Sequence, residues 1–199
     1  MNTPFNMIIL GMTACGKTFF LLRMLEENFN GHFDYIILLC PTLSYNKTYQ
    51  EWKYINDSDL IKVECDQDQV DIVLKYVSDV YKGTNSLIIL DDVASCLDVK
   101  NRTSELIKLG FSARHYGLST IMITQQLTSI AKPYRENISY LVTFYNPNRN
   151  DMKTIFNDYL YGVEKDDIEE IAKKLKNNKY AHLEIQLVYP YQWKIVIPQ

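Results

Sequence analysis

Eight residues near the start of the chain, Gly11-Met12-Thr13-Ala14-Cys15-Gly16-Lys17-Thr18, fit the pattern G-x-x-x-x-G-K-[ST]. That spacing suits a phosphate chain. A glycine at either end lets the backbone turn its N–H groups inward and approach an anion with no side chain in between. The Lys17 ammonium then reaches β- and γ-phosphates, and the Thr18 hydroxyl ligates Mg²⁺. An apolar run, Met7 to Leu10, precedes the loop and a helical pattern follows it, so a helix N-terminus faces the negative charge. Gly11, Thr13, Ala14, Cys15, Gly16, Lys17 and Thr18 are the expected nucleotide-binding set. The Cys15 thiol faces either the nucleotide or solvent, and an incidental small residue is the simpler reading.

Two further constellations supply what hydrolysis needs. In "SLIILDDVA" an apolar run ends in Asp91, an acid placed to hold Mg²⁺ together with Thr18. Asp92 follows directly and is positioned to polarise a water for attack on the γ-phosphate; the alternative is that it caps the next turn. In "STIMITQQ" another apolar run ends in Thr124-Gln125-Gln126, which puts an amide where strands of such sheets meet their ligands. Gln125 there senses the γ-phosphate or orients the attacking water.

The elements that must carry these residues are legible as apolar runs of strand length. They span 5–10, 34–40, 61–65, 86–90, 119–124 and 140–144, and most are continuous rather than alternating, as in parallel strands covered on both faces. Helical patterns separate them over 18–29, 69–81 and 104–117. The second carries Val70, Val73, Val77 and Val80 with Leu74 and Tyr81 on one side, and the third has Thr103 as its N-cap. Alternation of this kind predicts an α/β three-layer sandwich around a mostly parallel sheet. After residue 146 the pattern changes to helices over 149–160 and 165–177 and a hairpin through "AHLEIQL" and "WKIVIP", broken at Tyr189-Pro190. The expectation is a nucleotide-binding core over 1–146, with 147–199 a small helical and hairpin appendage packed on the same domain.

Composition narrows the class. The 199 residues are 47% hydrophobic and 23% charged with a formal charge of −3, a globular balance that leaves nucleic-acid contact to local patches. The cysteines Cys15, Cys40, Cys65 and Cys96 are far apart and form no C-x-x-C pair, which argues against zinc and for buried free thiols in a reducing compartment. No basic-then-apolar leader opens the sequence and no apolar run is long enough to span a bilayer, so a soluble, intracellular protein is expected.

The segments "GMTACGKT", "FDYIILLCPT", "LIILDD" and "RHYGLSTIMITQQ" together resemble the FtsK/HerA superfamily of DNA-pumping ATPases. Within it the chain is most similar to the genome-packaging ATPases of poxvirus-like large DNA viruses and related viruses and transposons. The resemblance covers roughly the first 145 residues. It implies a RecA/ASCE-like P-loop NTPase that uses ATP and Mg²⁺, with Lys17 and Thr18 on phosphate and metal, Asp91 on the metal and Gln125 as polar sensor. Asp92 stands where many relatives carry glutamate as base, one methylene shorter. The family works as rings, in which an arginine of one subunit reaches its neighbour's γ-phosphate; Arg114 is the first candidate and Arg135 the second. The implied partners are double-stranded DNA, further copies of the chain in a ring of five or six, and a capsid or portal protein. The implied setting is the host cytoplasm, the virus factory or the virion.

For DNA phosphates the chain offers Lys100, Arg102 and Lys108, and Lys173, Lys174, Lys176 and Lys179, although such faces are more often simply solvated. The segment 44–54 is either an aromatic stacking surface or a helix that buries Tyr49 and Trp52 against the sheet, the preferred reading. Two other functions share the phosphate loop: a small-molecule or nucleotide kinase, and a non-catalytic assembly protein that binds ATP. A kinase needs a water-excluding lid, usually with paired arginines, and the arginines here are scattered.

Overall fold

The computed structural model describes residues 3–53, 59–66, 69–93 and 104–198; Cys96, Lys100, Arg102 and Thr103 lie outside them. Among the described residues eight strands form one sheet: β1 (Asn6–Leu10), β2 (Tyr35–Leu39), β3 (Leu60–Val63), β4 (Ser86–Asp91), β5 (Leu118–Thr124), β6 (Tyr140–Phe144), β7 (His182–Gln186) and β8 (Gln192–Val196). Their order is β3-β2-β4-β5-β1-β6-β7-β8. The first six are parallel, and β7 and β8 join antiparallel at the β6 edge. The C-terminal hairpin therefore extends the central sheet itself.

Both faces of the central parallel strands are covered, which is why those strands read as unbroken apolar runs. Along β1, Met7 and Ile9 pack with Leu21, Met24, Leu25 and Phe29 from helix α1 (Lys17–Asn28) and its end. Ile8 and Leu10 face the other way, into a cluster with α3 (Val70–Val80), α4 (Glu105–Ser112) and α7 (Lys165–Asn177). Short helices α2 (Lys47–Glu51), α5 (Lys132–Arg135) and α6 (Arg149–Thr154) complete the connections. Register fixes what meets at the functional edge. Leu10 lies opposite Thr124 of β5 and Thr143 of β6, and Asp91 opposite Ile123. The loops after β1, β4, β5 and β6 thus open on one side.

Three local differences from the sequence pattern have physical causes. The third helix is capped by Ser104, whose hydroxyl accepts from the Ile107 N–H at 3.4 Å, and it tightens into a 3₁₀ turn over Ala113–Tyr116. Gly117, with φ of 79°, ends that turn in a left-handed conformation open to glycine. The stretch 149–160 is α-helical only to Thr154; Ile155–Tyr159 form a π-helical turn, which aims both Ile155 and Tyr159 into the core. On α3, Val70, Leu74 and Val77 are buried, but Val80 at the helix end is half exposed, and Ser78 is buried in its stead by bonding the Leu74 carbonyl at 2.7 Å.

Candidate functional site

The phosphate loop runs from Gly11 into α1. The helix has no side-chain cap and no acidic residue in its first turn, so its leading N–H groups are left for a ligand. Gly16 sits at φ of 104°, where an L side chain is strained. Gly11 is required for a different reason: a Cβ there would lie 2.5 Å from Cys15 Sγ and 2.8 Å from Phe144 Cβ. The Lys17 ammonium is buried and donates to the carbonyls of Gly11 at 2.8 Å and Met12 at 2.9 Å. The loop's own lysine thereby ties its first two carbonyls together. Thr13 and Ala14 are exposed on it, Ala14 at φ of 59°. Cys15 is half buried against Gly11 and the α1-side core; burial pushes its thiol pKa up although Lys17 opposes this, so it is a poor nucleophile.

Asp91 ends β4 almost fully buried. Burial pushes its carboxyl up to about 6 and the like charge of Asp92 adds to this, while the Tyr49 hydroxyl and the Lys17 ammonium oppose it. Asp92 turns outward at φ of 56°, exposed, its N–H directed at the Ile123 carbonyl at 3.4 Å. A side chain in a left-handed turn at a strand end is a local strain of the kind that collects at functional sites. Gln125, just past β5, accepts from the Thr13 hydroxyl at 3.0 Å through its side-chain carbonyl. The fold therefore brings Lys17, Thr18, Asp91, Asp92 and Gln125 to one edge of the sheet.

The donor set fits a magnesium ion. A threonine hydroxyl and one carboxylate, completed by phosphate oxygens, is the kind of partial oxygen shell Mg²⁺ takes. The Asp91 and Asp92 carboxylates face the single Lys17 ammonium, which leaves negative charge for a metal to balance. Among the described residues no group of three or more His, Cys, Asp or Glu forms a closed metal cage.

Arg114 does not join this edge. It is exposed in the turn before β5, at the N-terminal ends of the strands. Arg135 is held elsewhere, its Nε donating to the Ile130 carbonyl at 3.0 Å. Lys108 pairs with Glu105 and Lys174 with Glu170 on exposed helix faces, so those two contribute first to their own helices.

Two groups of site residues escaped the sequence reading. Tyr49 was expected to be buried and is fully so, with Trp52 packed beside it and Asn46 capping α2 through the Tyr49 N–H at 3.3 Å. Its hydroxyl ends beside Asp91 and Thr18, yet it makes no hydrogen bond of good geometry. Burial, with the Asp91 charge adding, pushes its pKa far up, so it stays protonated. The second group is Asn146 and Asp151. Asp151 is fully buried and accepts from the N–H groups of Leu127 and Thr128, both at 3.0 Å, from the Thr128 hydroxyl at 2.9 Å and from Asn146 at 3.1 Å. Asn146 also donates to the Gln125 carbonyl at 3.2 Å. The segment after β6 thus braces the turn that carries Gln125. Its only sequence signal was a polar cluster after an apolar strand.

The profile of the family described as "Poxvirus A32 protein" matches residues 1–190. The chain belongs to that family. No match was found among curated proteins. Solved structures agree with the A32 assignment at the level of fold. The genome packaging NTPase B204 of Sulfolobus turreted icosahedral virus 2, bound to ATP-gammaS, superposes with a TM-score of 0.72 at 19% identity, over 100% of this chain and 99% of its own. The DNA-packaging ATPase B204 of Sulfolobus Turreted Icosahedral Virus gives 0.73 at 20% identity, over 100% of both chains. The pCW3 conjugation coupling protein TcpA gives 0.58 at 12% identity, over 95% of this chain and 59% of that one. All of these share this chain's α/β fold. Among the described residues no helix is long and apolar enough to cross a membrane.

Proposed function

We propose that this A32-family chain is an ATP-hydrolysing DNA translocase that packages double-stranded viral DNA into a capsid. The observation that carries the reading is the convergence of Lys17, Thr18, Asp91, Asp92 and Gln125 on one sheet edge, in a family and fold whose solved relatives include packaging ATPases. In this reading the nucleotide's phosphates displace the Lys17 ammonium from the Gly11 and Met12 carbonyls, and the N–H groups at the start of α1 close around them. Thr18 and Asp91 would hold Mg²⁺, which would neutralise phosphate charge. Asp92 accepts a proton from the attacking water while Gln125 orients it; a P–O bond to water forms, the bond to ADP breaks, and ADP and phosphate leave. Arg114 acts on the neighbour's nucleotide in a ring of five or six copies. Contacts to DNA phosphates would be made without regard to sequence, with Lys173 and Lys176 as the candidates not engaged in the intrahelical ion pairs. A capsid or portal protein docks the ring, in the host cytoplasm, the virus factory or the virion.

Steady-state ATP hydrolysis with and without long double-stranded DNA tests this. DNA should stimulate turnover by the wild type, and Lys17→Ala and Asp92→Asn should each abolish it. Nucleotide binding with no turnover under either condition would count against a motor and favour ATP-dependent assembly.

A further inference from the structure

We propose that Tyr180 is the platform on which the nucleotide's base stacks, so that the C-terminal segment supplies the nucleoside half of the site. This rests on the reading of residues 11–18 as a nucleotide loop.

Sheet order gives the phosphate chain a direction. Asp91 ends β4 and Gln125 follows β5, so the acid pair and the amide proposed to attend the γ-phosphate lie on the β4–β5 flank of β1. A triphosphate lying across the loop with its γ-end there must point its nucleoside end to the opposite flank, toward β6 and β7. Because β7 runs antiparallel to β6, with His182 opposite Phe144, the residues entering β7 stand at the same edge as the loop. Tyr180 is among them. A Cβ built on Gly16 would lie 3.2 Å from Tyr180 Cδ1, so the ring rests directly against the loop.

The ring is held there at a cost. Tyr180 has φ of 66°, a conformation rare for an aromatic residue and retained only where surroundings impose it. Its carbonyl accepts from His182 Nδ1 at 3.2 Å, and the His182 ring packs at 4.9 Å from Phe20 and 5.1 Å from Phe144. That aromatic group fixes the turn from behind. In front, Tyr180 is 45% exposed, and the Lys179 ammonium lies over its ring, 4.7 Å from the centroid, so a base stacks there by taking that ammonium's place. An anchored, half-open aromatic ring beside a phosphate loop offers a π-face to any base. Stacking of this kind is tolerant of base identity, so it distinguishes a nucleotide from a bare polyphosphate.

Equilibrium binding of ADP and of inorganic pyrophosphate to the full chain tests the assignment. Tyr180→Ala should weaken ADP about tenfold, the loss expected for one stacked base, and leave pyrophosphate unchanged. Tyr180→Phe should bind both as the wild type does. Tyr180→Gly, which relaxes the backbone, should behave as Tyr180→Ala and guards against misfolding of the latter. Equal weakening of both ligands, or of neither, overturns the proposal. Lys17→Ala should lose both ligands; a wild type that binds neither overturns the nucleotide reading itself, and this proposal with it.

Discussion

The Tyr49 hydroxyl sits beside Asp91 and Thr18, the two side chains proposed to hold the metal, without a well-formed hydrogen bond of its own. Its ring and its hydroxyl therefore have separable roles. Tyr49→Ala empties a fully buried aromatic site and should cost about 3–5 kcal/mol. Tyr49→Phe removes only an unsatisfied polar atom and should leave stability within about 1 kcal/mol of wild type, both read by chemical denaturation. The candidate residues Lys17, Thr18, Asp91, Asp92 and Gln125 were legible as a constellation because each lies at a strand end or in the loop or helix start after one, a placement that local pattern alone sets. Tyr49 was legible as a buried residue but not as a neighbour of Asp91. Local pattern fixes which side of a helix is apolar, while the strand end a short helix returns over is set by tertiary packing.

Among the elements, the α6 start and the β7–β8 hairpin carry the sharpest tests. Asp151 satisfies the turn of Leu127 and Thr128 while fully buried, so Asp151→Ala strands several donors and should cost roughly 3 kcal/mol, lowering Tm by about 6–12 °C in a chain of this size. The hairpin tests electrostatics. Burial works against the Glu184 charge, but hydrogen bonds from His182 and Lys194 outweigh it and hold the carboxyl below its ordinary 4.5. A depressed acid stabilises the fold above its unfolded pKa and loses that contribution as pH falls through the folded value. Glu184→Gln should therefore lower Tm by about 2–4 °C at pH 7. The gap to wild type should close once pH drops below the folded-state pKa, as thermal melts across pH would reveal. The central parallel strands were readable because burial on both faces writes an unbroken apolar run, whereas the half-buried β3, read over 61–65, is displaced to Leu60–Val63. The π-helical turn was not, since its widened ladder answers to the packing of Ile155 and Tyr159 and leaves the helical period almost unchanged.

At the level of the whole molecule, the position of Arg114 at the opposite end of β5 from Gln125 means that it cannot serve its own phosphate loop. If it serves a neighbour's, Arg114→Ala should bind nucleotide normally and lose about a thousandfold in turnover. Mixing it with Lys17→Ala subunits should then restore part of the activity, because some interfaces pair an intact arginine with an intact loop. No recovery on mixing would remove Arg114 from the role. Such a ring also needs each subunit to survive the moment between product release and the next nucleotide. Here the bonds from Lys17 to the Gly11 and Met12 carbonyls acquire a thermodynamic meaning. Binding becomes an exchange of partners, in which the charge is never left stranded in a buried loop. On the proposed reading, nucleotide affinity would be the difference between two well-satisfied states. The Gly11 and Met12 carbonyls would then take back the ammonium as phosphate departs, so that a subunit would reset from within its own chain.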